Sequence, residues 1–209
     1  MLSIFNHFIN KYRQITFINI MGIPSYFSHI IKEHRKIIKD YNNLNVENLY
    51  LDANSIIYDS VYANKNDFEN KKQFELLIYK TTCKKIEELL LSLKPNNCFL
   101  AFDGVAPTAK LEQQRQRRFK SIFNKKLLEK FNIYDDIKWS TNSITPGTTF
   151  MLNLDKYVSN HFKLFKMKNS FLNNFIFSGC TNEGEGEHKI FEYIRNNNHM
   201  NKNTLIYGL

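Results

Sequence analysis

Cysteine is scarce in this chain. The three present, Cys83, Cys98 and Cys180, are scattered and contain no CxxC pair. That argues against a disulfide framework and against a zinc site. It fits a reducing compartment, cytoplasm or nucleus. Proline occurs four times, each time near a proposed element boundary. No apolar run reaches the ~18–20 residues of a membrane span, so no membrane partner is expected. There is no internal repeat. Acidic residues are the minority, 20 Asp and Glu against 29 Lys and Arg, for a formal net charge of +9. A basic balance of this size points to a polyanionic partner, nucleic acid first, although a merely basic surface has the same composition.

What is present is 209 residues, 43% of them hydrophobic, which suffices for one sizeable core. Phe and Tyr are abundant, so stacking surfaces accompany that core. The first twenty residues carry Lys11 and Arg13, no acid and a single serine. They read as an N-terminal extension outside the fold rather than as a transit peptide. The domain is expected over 21–209.

Hydrophobic spacing predicts alternating elements. Ser25 opens a helical pattern through Phe27, Ile30, Ile31, His34, Ile37 and Ile38. A buried strand is expected over 48–52, a helix from 55 to 62, and a long amphipathic helix over 68–93 that stops before Pro95. A second strand is expected over 98–102 and a strongly basic helix over 108–131. Thr145 and Pro146 read as N-cap and first residue of a helix with Phe150, Leu154, Tyr157, Val158, His161 and Phe165 on its apolar face. A strand over 175–178, a helix over 185–195 and a strand over 204–207 complete the pattern. This is an α/β arrangement, a mainly parallel sheet flanked by helices.

In such sheets a site forms beyond the carboxyl ends of the strands. Asp52 ends the first strand, Asp103 follows the second, and Glu185 and Glu187 follow the third after a short loop. Crowded carboxylates repel, and divalent cations keep such a cluster ionised. Oxygen-only ligands, with no His or Cys, suit Mg²⁺ or Mn²⁺. Two such ions together activate a water and stabilise the leaving oxygen of a phosphodiester. Taken singly, each acid also fits a helix cap, a turn or a solvated helix start. His188 reads as a hydrogen-bonding support, and His161 as structural.

The helix after Asp103 carries Lys110, Gln114, Arg117 and Arg118 at i, i+4, i+7 and i+8, which share one face. Arginine forks, a lysine charge and an amide donor suit phosphate oxygens. A solvated basic face has the same spacing.

Together these stretches resemble the XRN family of 5′→3′ exoribonucleases, from residue 21 to 209. The matching segments are MGIPSYF, NLYLDANSII, FDGVAPTAKLEQQRQRRF, NSITPGTTFM, IFSGCTNEGEGEHKIFEYIR and LIYGL. The resemblance implies a PIN/flap-nuclease-like fold. It implies that Asp52, Asp103, Glu185 and Glu187 bind catalytic Mg²⁺ or Mn²⁺. It implies that Lys110, Gln114, Arg117 and Arg118 hold the 5′-monophosphate of single-stranded RNA, which is degraded to 5′-mononucleotides. The family occurs in eukaryotes and in some of their large DNA viruses, so a cytoplasmic or nuclear location is expected.

The chain departs from the family pattern in four places. Thr108 stands where the family has arginine, and Tyr58 where it has a base-stacking histidine, a role tyrosine can also fill. Twenty residues precede the usual Met-Gly start. The family continues from Tyr-Gly-Leu into an Asp-Ala-Asp motif, so this sequence reads as a truncated N-terminal segment. It is expected to be inactive alone and to pair with the missing C-terminal part. Two other readings stand beside it: a flap-endonuclease-like structure-specific nuclease, and an inactive RNA-binding remnant.

Overall fold

A computed structural model describes residues 25–37, 45–64, 70–131, 139–197 and 203–208. Residues 1–24, Ile38, Phe68 and Leu209, on which some of the expectations above rest, lie outside these. The chain divides into two units between 43 and 44. In the first, helix α1 (Tyr26–Glu33) is followed by a short 3-10 turn, Arg35–Ile37. Ser25 does not cap α1: it takes a left-handed φ of 63° and its side chain makes no cap hydrogen bond.

The second unit is built on four parallel strands in the order β3-β2-β1-β4. These are β1 (Asn48–Asp52), β2 (Asn97–Ala101), β3 (Asn174–Ser178) and β4 (Thr204–Tyr207). Helical connections return the chain for each parallel pairing: α2 (Asn54–Ala63) and α3 (Lys71–Leu93), then α4 (Thr108–Lys130) and α5 (Thr149–Lys168), then α6 (Gly186–Asn197). The middle strands are apolar on both faces, as parallel strands covered on both sides must be. Leu49, Leu51, Cys98 and Leu100 point into the main core with Ile56, Ile57, Phe74, Ile78, Leu154 and Phe162. Tyr50, Phe99 and Ala101 point the other way, against Ile190, Tyr193 and Ile194 of α6.

Register is pinned by an amide ladder at the amino ends of the strands. Asn48, Asn97 and Asn174 are aligned. Asn174 Nδ2 donates to Asn97 Oδ1 at 2.8 Å, and Asn97 Nδ2 donates to Asn48 Oδ1 at 2.9 Å. Asn48 is 1% exposed, so its Oδ1 depends on this ladder, while its Nδ2 donates to Thr204 Oγ1 at 3.4 Å.

Several boundaries differ from the expectation by one to a few residues. The turn before α5 is a hydrogen-bonded 145–148 turn, with Thr148 N–H on the Thr145 carbonyl at 3.2 Å. Pro146 occupies its second position and Gly147, at φ 87°, its third, which is the type II pattern. The N-cap is therefore Thr148, whose hydroxyl accepts from Met151 N–H, and not Thr145. β2 runs one residue earlier than expected, since Asn97 already pairs with Asn48. Glu185 stands just before α6 rather than within it, its carbonyl accepting from Lys189 N–H at 3.1 Å. The long helix α3 starts from an Asn70 cap that accepts from Gln73 N–H. None of the described side chains of α4 is buried.

Candidate metal centre and basic helix

The carboxyl ends of β1, β2 and β3 meet at one edge of the sheet, and two loops are stitched together there. Gly104 N–H donates to the Gly184 carbonyl at 2.8 Å, and Gly184 N–H donates to Val105 at 2.9 Å. This exchange draws the segment after β2 against the segment before α6. A Cβ on Gly104 would fall 1.6 Å from the Asn182 carbonyl oxygen, so only glycine permits the approach.

Asp52 and Asp103 lie together at this edge. Asp103 is held on three sides: its Oδ1 accepts from Gly186 N–H at 2.8 Å, Asn54 Nδ2 donates to its Oδ2, and its own N–H donates to Asn54 Oδ1 at 3.2 Å. Burial pushes the Asp52 carboxyl up to about 6, and the charges of Asp103 and Glu187 push the same way. Asp103 is also raised, chiefly by burial, against the opposing Gly186 hydrogen bond. No Lys, Arg or His among the described residues lies within ion-pair distance of Asp52 or Asp103. The Lys189 ammonium lowers Asp103 without cancelling the rise, so both carboxyls stay raised.

Glu185 and Glu187 lie beside it. Glu185 is 1% exposed, and its carboxylate contacts Lys110 Nζ, with Gln114 Nε2 at 3.4 Å. Lys110 Nζ also stands 3.8 Å from Glu187 Oε1. Ligand atoms of Glu185, Glu187 and His188 all lie within 4.8 Å of one another. His188, expected only as a hydrogen-bonding support, stands 3.6 Å from Glu185, near enough to be counted with the acids.

The basic residues form a chain that begins at the acids. Lys110 and Gln114 touch Glu185, and Arg118 Nη2 donates to Gln114 Oε1 at 3.3 Å. Arg117 is exposed. Tyr58 on α2 is half-buried, and its hydroxyl is raised mainly by burial, with Arg117 and Arg118 acting against that rise and Asp103 adding to it.

Three contributors escaped the sequence reading. Asn54 follows Asp52 by two residues, and its reciprocal bonds to Asp103 arise only when β1 and β2 are paired. Lys189 is buried under the acids, whereas lysine defaults to the surface. Asp155 of α5 accepts from Cys180 N–H at 2.8 Å and so holds the loop after β3.

Residues 21–209 match the family described as XRN 5′-3′ exonuclease N-terminus. The chain belongs to this family. The four-stranded parallel sheet with helices on both faces is the PIN-like architecture of the XRN N-terminal domain. The chain is 37% identical to 5′-3′ exoribonuclease 1 of Saccharomyces cerevisiae, over 90% of its own length and 13% of that protein. It is 34% identical to human 5′-3′ exoribonuclease 1, over 90% of its length and 12% of the relative. With 5′-3′ exoribonuclease 2 of Kluyveromyces lactis the identity is 32%, over 90% and 23%. The sequence thus spans less than a quarter of the length of these relatives. Among the described residues no helix is long and apolar enough to cross a membrane.

Proposed function

We propose that this XRN segment carries the metal-binding acids and the 5′-end pocket of an exoribonuclease, which hydrolyses 5′-monophosphorylated single-stranded RNA to mononucleotides. The observation that supports it best is the Asp52–Asp103 pair, whose carboxyls are both raised and have no ion-pair partner at contact distance among the described residues. Two partly buried carboxyls, raised chiefly by burial and further by neighbouring acids, are the environment a hard divalent cation relieves. The donors are oxygens with a histidine at the margin, a set that fits Mg²⁺ or Mn²⁺.

Asp52, Asp103, Glu185 and Glu187 would hold the ions. When bound, a pair of divalent cations supplies an activated water and charge stabilisation at the leaving oxygen. The chain's own residues do the rest. Lys110, Gln114, Arg117 and Arg118 grip the terminal phosphate with paired N–H donors and positive charge. Because Lys110 and Gln114 reach Glu185, a phosphate held there lies next to the acids. Tyr58 offers a ring face to the first base. Cytoplasm or nucleus is the proposed place of action, in keeping with three free, buried cysteines.

The test is incubation of the full chain with 5′-phosphorylated RNA and Mg²⁺ or Mn²⁺. Release of mononucleotides from the 5′ end, abolished by Asp103→Ala, would establish the exonuclease reading and overturn the expectation that the chain is inactive alone. Internal cuts at a branched flap would favour a structure-specific endonuclease. Tight RNA binding with no cleavage at any divalent concentration would favour the RNA-binding remnant.

A further inference from the structure

Helix α6 brings a lysine into the interior below the acids. Lys189 is 6% exposed, and a buried ammonium is tolerated only with its donors satisfied. Its Nζ donates to the carbonyls of Phe102 and Gly179, each at 2.8 Å. These carbonyls occupy equivalent places. Ala101 and Ser178, the last residues of β2 and β3, are paired. Phe102 N–H still reaches the Ser178 carbonyl at 2.9 Å. One step on, the ammonium bridges the two strand ends. The next residue after Phe102 is Asp103.

The same helix fastens Asp103 directly, through Gly186 N–H at 2.8 Å. Gly186 and Lys189 are separated by one helical turn and lie on one side of α6. α6 is therefore tied to the end of β2 at two adjacent points, the Phe102 carbonyl and the Asp103 carboxylate. Glu185 precedes that helix and Glu187 is in its first turn, so the same two ties locate them. From the other elements, Asp103 and Asp155 face the ammonium electrostatically.

We propose that Lys189 is a positioning residue for the divalent-cation site, setting the separation between Asp103 at the end of β2 and the Glu185–Glu187 pair at the start of α6. The inference rests on the reading that these acids hold the cation. The anchor and the charge of Lys189 act in opposite directions. Fixing the carboxylates favours cation binding, whereas a buried positive charge beside them opposes it. The two carbonyl bonds make the anchor the larger effect. Loss of comparable outer-shell partners weakens metal binding roughly 10–100-fold.

The experiment titrates the full chain with Mn²⁺ by calorimetry and records thermal midpoints with and without Mn²⁺. Wild type is compared with Lys189→Met, which keeps length and removes all donors, and with Lys189→Gln, which keeps an amide donor. The expected result is Mn²⁺ affinity lowered about 10–100-fold in Lys189→Met and less in Lys189→Gln. The metal-free circular dichroism spectrum is retained, and the Mn²⁺-induced rise in midpoint shrinks in step. A lower metal-free midpoint with unchanged Mn²⁺ affinity overturns the proposal in favour of a support role. Tighter Mn²⁺ binding overturns it in favour of a counter-charge. If neither variant folds at any Mn²⁺ concentration, Lys189 serves stability alone and the proposal fails. Absence of Mn²⁺ binding by the wild type removes the acid-site reading, and the proposal with it.

Discussion

Gly186 donates its backbone N–H to Oδ1 of Asp103 at 2.8 Å, and on its other side a Cβ would lie 2.5 Å from Oδ1 of Asp52. One glycine thus faces two carboxylates that come from different strands. The first residue of α6 has a free N–H to give, as helix starts do, and lacking a side chain it lets both acids close in.

Gly186→Ala should separate function from folding. The methyl group forces the Asp52 carboxylate aside, and a displaced ligand weakens the site while the flexible end of an aspartate absorbs the clash. Mn²⁺ affinity is expected to fall at least ~10-fold. The thermal midpoint of the metal-free chain should move by only a few degrees. Calorimetry and differential scanning calorimetry check the two halves.

The raised Asp52 carboxyl has a signed consequence for stability. Its value is 3.8 for an ordinary aspartate and about 6 here. The folded chain therefore holds this proton more tightly than the unfolded chain. The stabilisation is complete below the ordinary value and is lost as pH rises through about 6. Metal-free wild type should lose stability relative to Asp52→Asn between about pH 4 and pH 6.5. Saturating Mg²⁺ should reverse that trend. Urea unfolding across this range gives the comparison, and parallel curves for the two proteins would contradict the assignment.

Arg117→Ala is expected to weaken binding of 5′-phosphorylated RNA at least ~10-fold while changing 5′-hydroxyl RNA little, as loss of one charge-assisted phosphate contact predicts. Fluorescence anisotropy with the two oligonucleotides measures the ratio. An equal loss on both substrates would show that the arginine adds only general electrostatics.

The amide ladder gives a prediction remote from the site. Asn97→Ala removes the donor to Asn48 Oδ1 and the acceptor for Asn174 Nδ2. Asn48 is buried, so an unmet acceptor there should cost about 1–3 kcal/mol in urea unfolding. Asn174 is exposed and can turn to water, so Asn174→Ala should cost less.

The strands and helices were largely legible from local chemistry. The apolar run of β1 and the periodicity of α3 and α5 require burial whatever their neighbours, and β4 appears where expected. The start of α5 differs from the expected Thr145 cap because the structure places the cap at Thr148. Gly147 at φ 87° makes Thr145-Pro146 a turn, and backbone geometry of that kind is not carried by residue type alone.

By itself the sequence determined the alternation of strands and helices, the four acids at strand ends, and the basic spacing of Lys110, Gln114, Arg117 and Arg118. Each follows from short-range periodicity and side-chain chemistry. Only the tertiary structure decided that Asn54 and Gly186 grip Asp103, that Lys110 reaches Glu185, and that Lys189 lies beneath the acids. Those contacts join residues 49 to 87 positions apart. They exist because parallel strand pairing brings the ends of distant segments to one edge, where buried polar groups must find partners that no local pattern names.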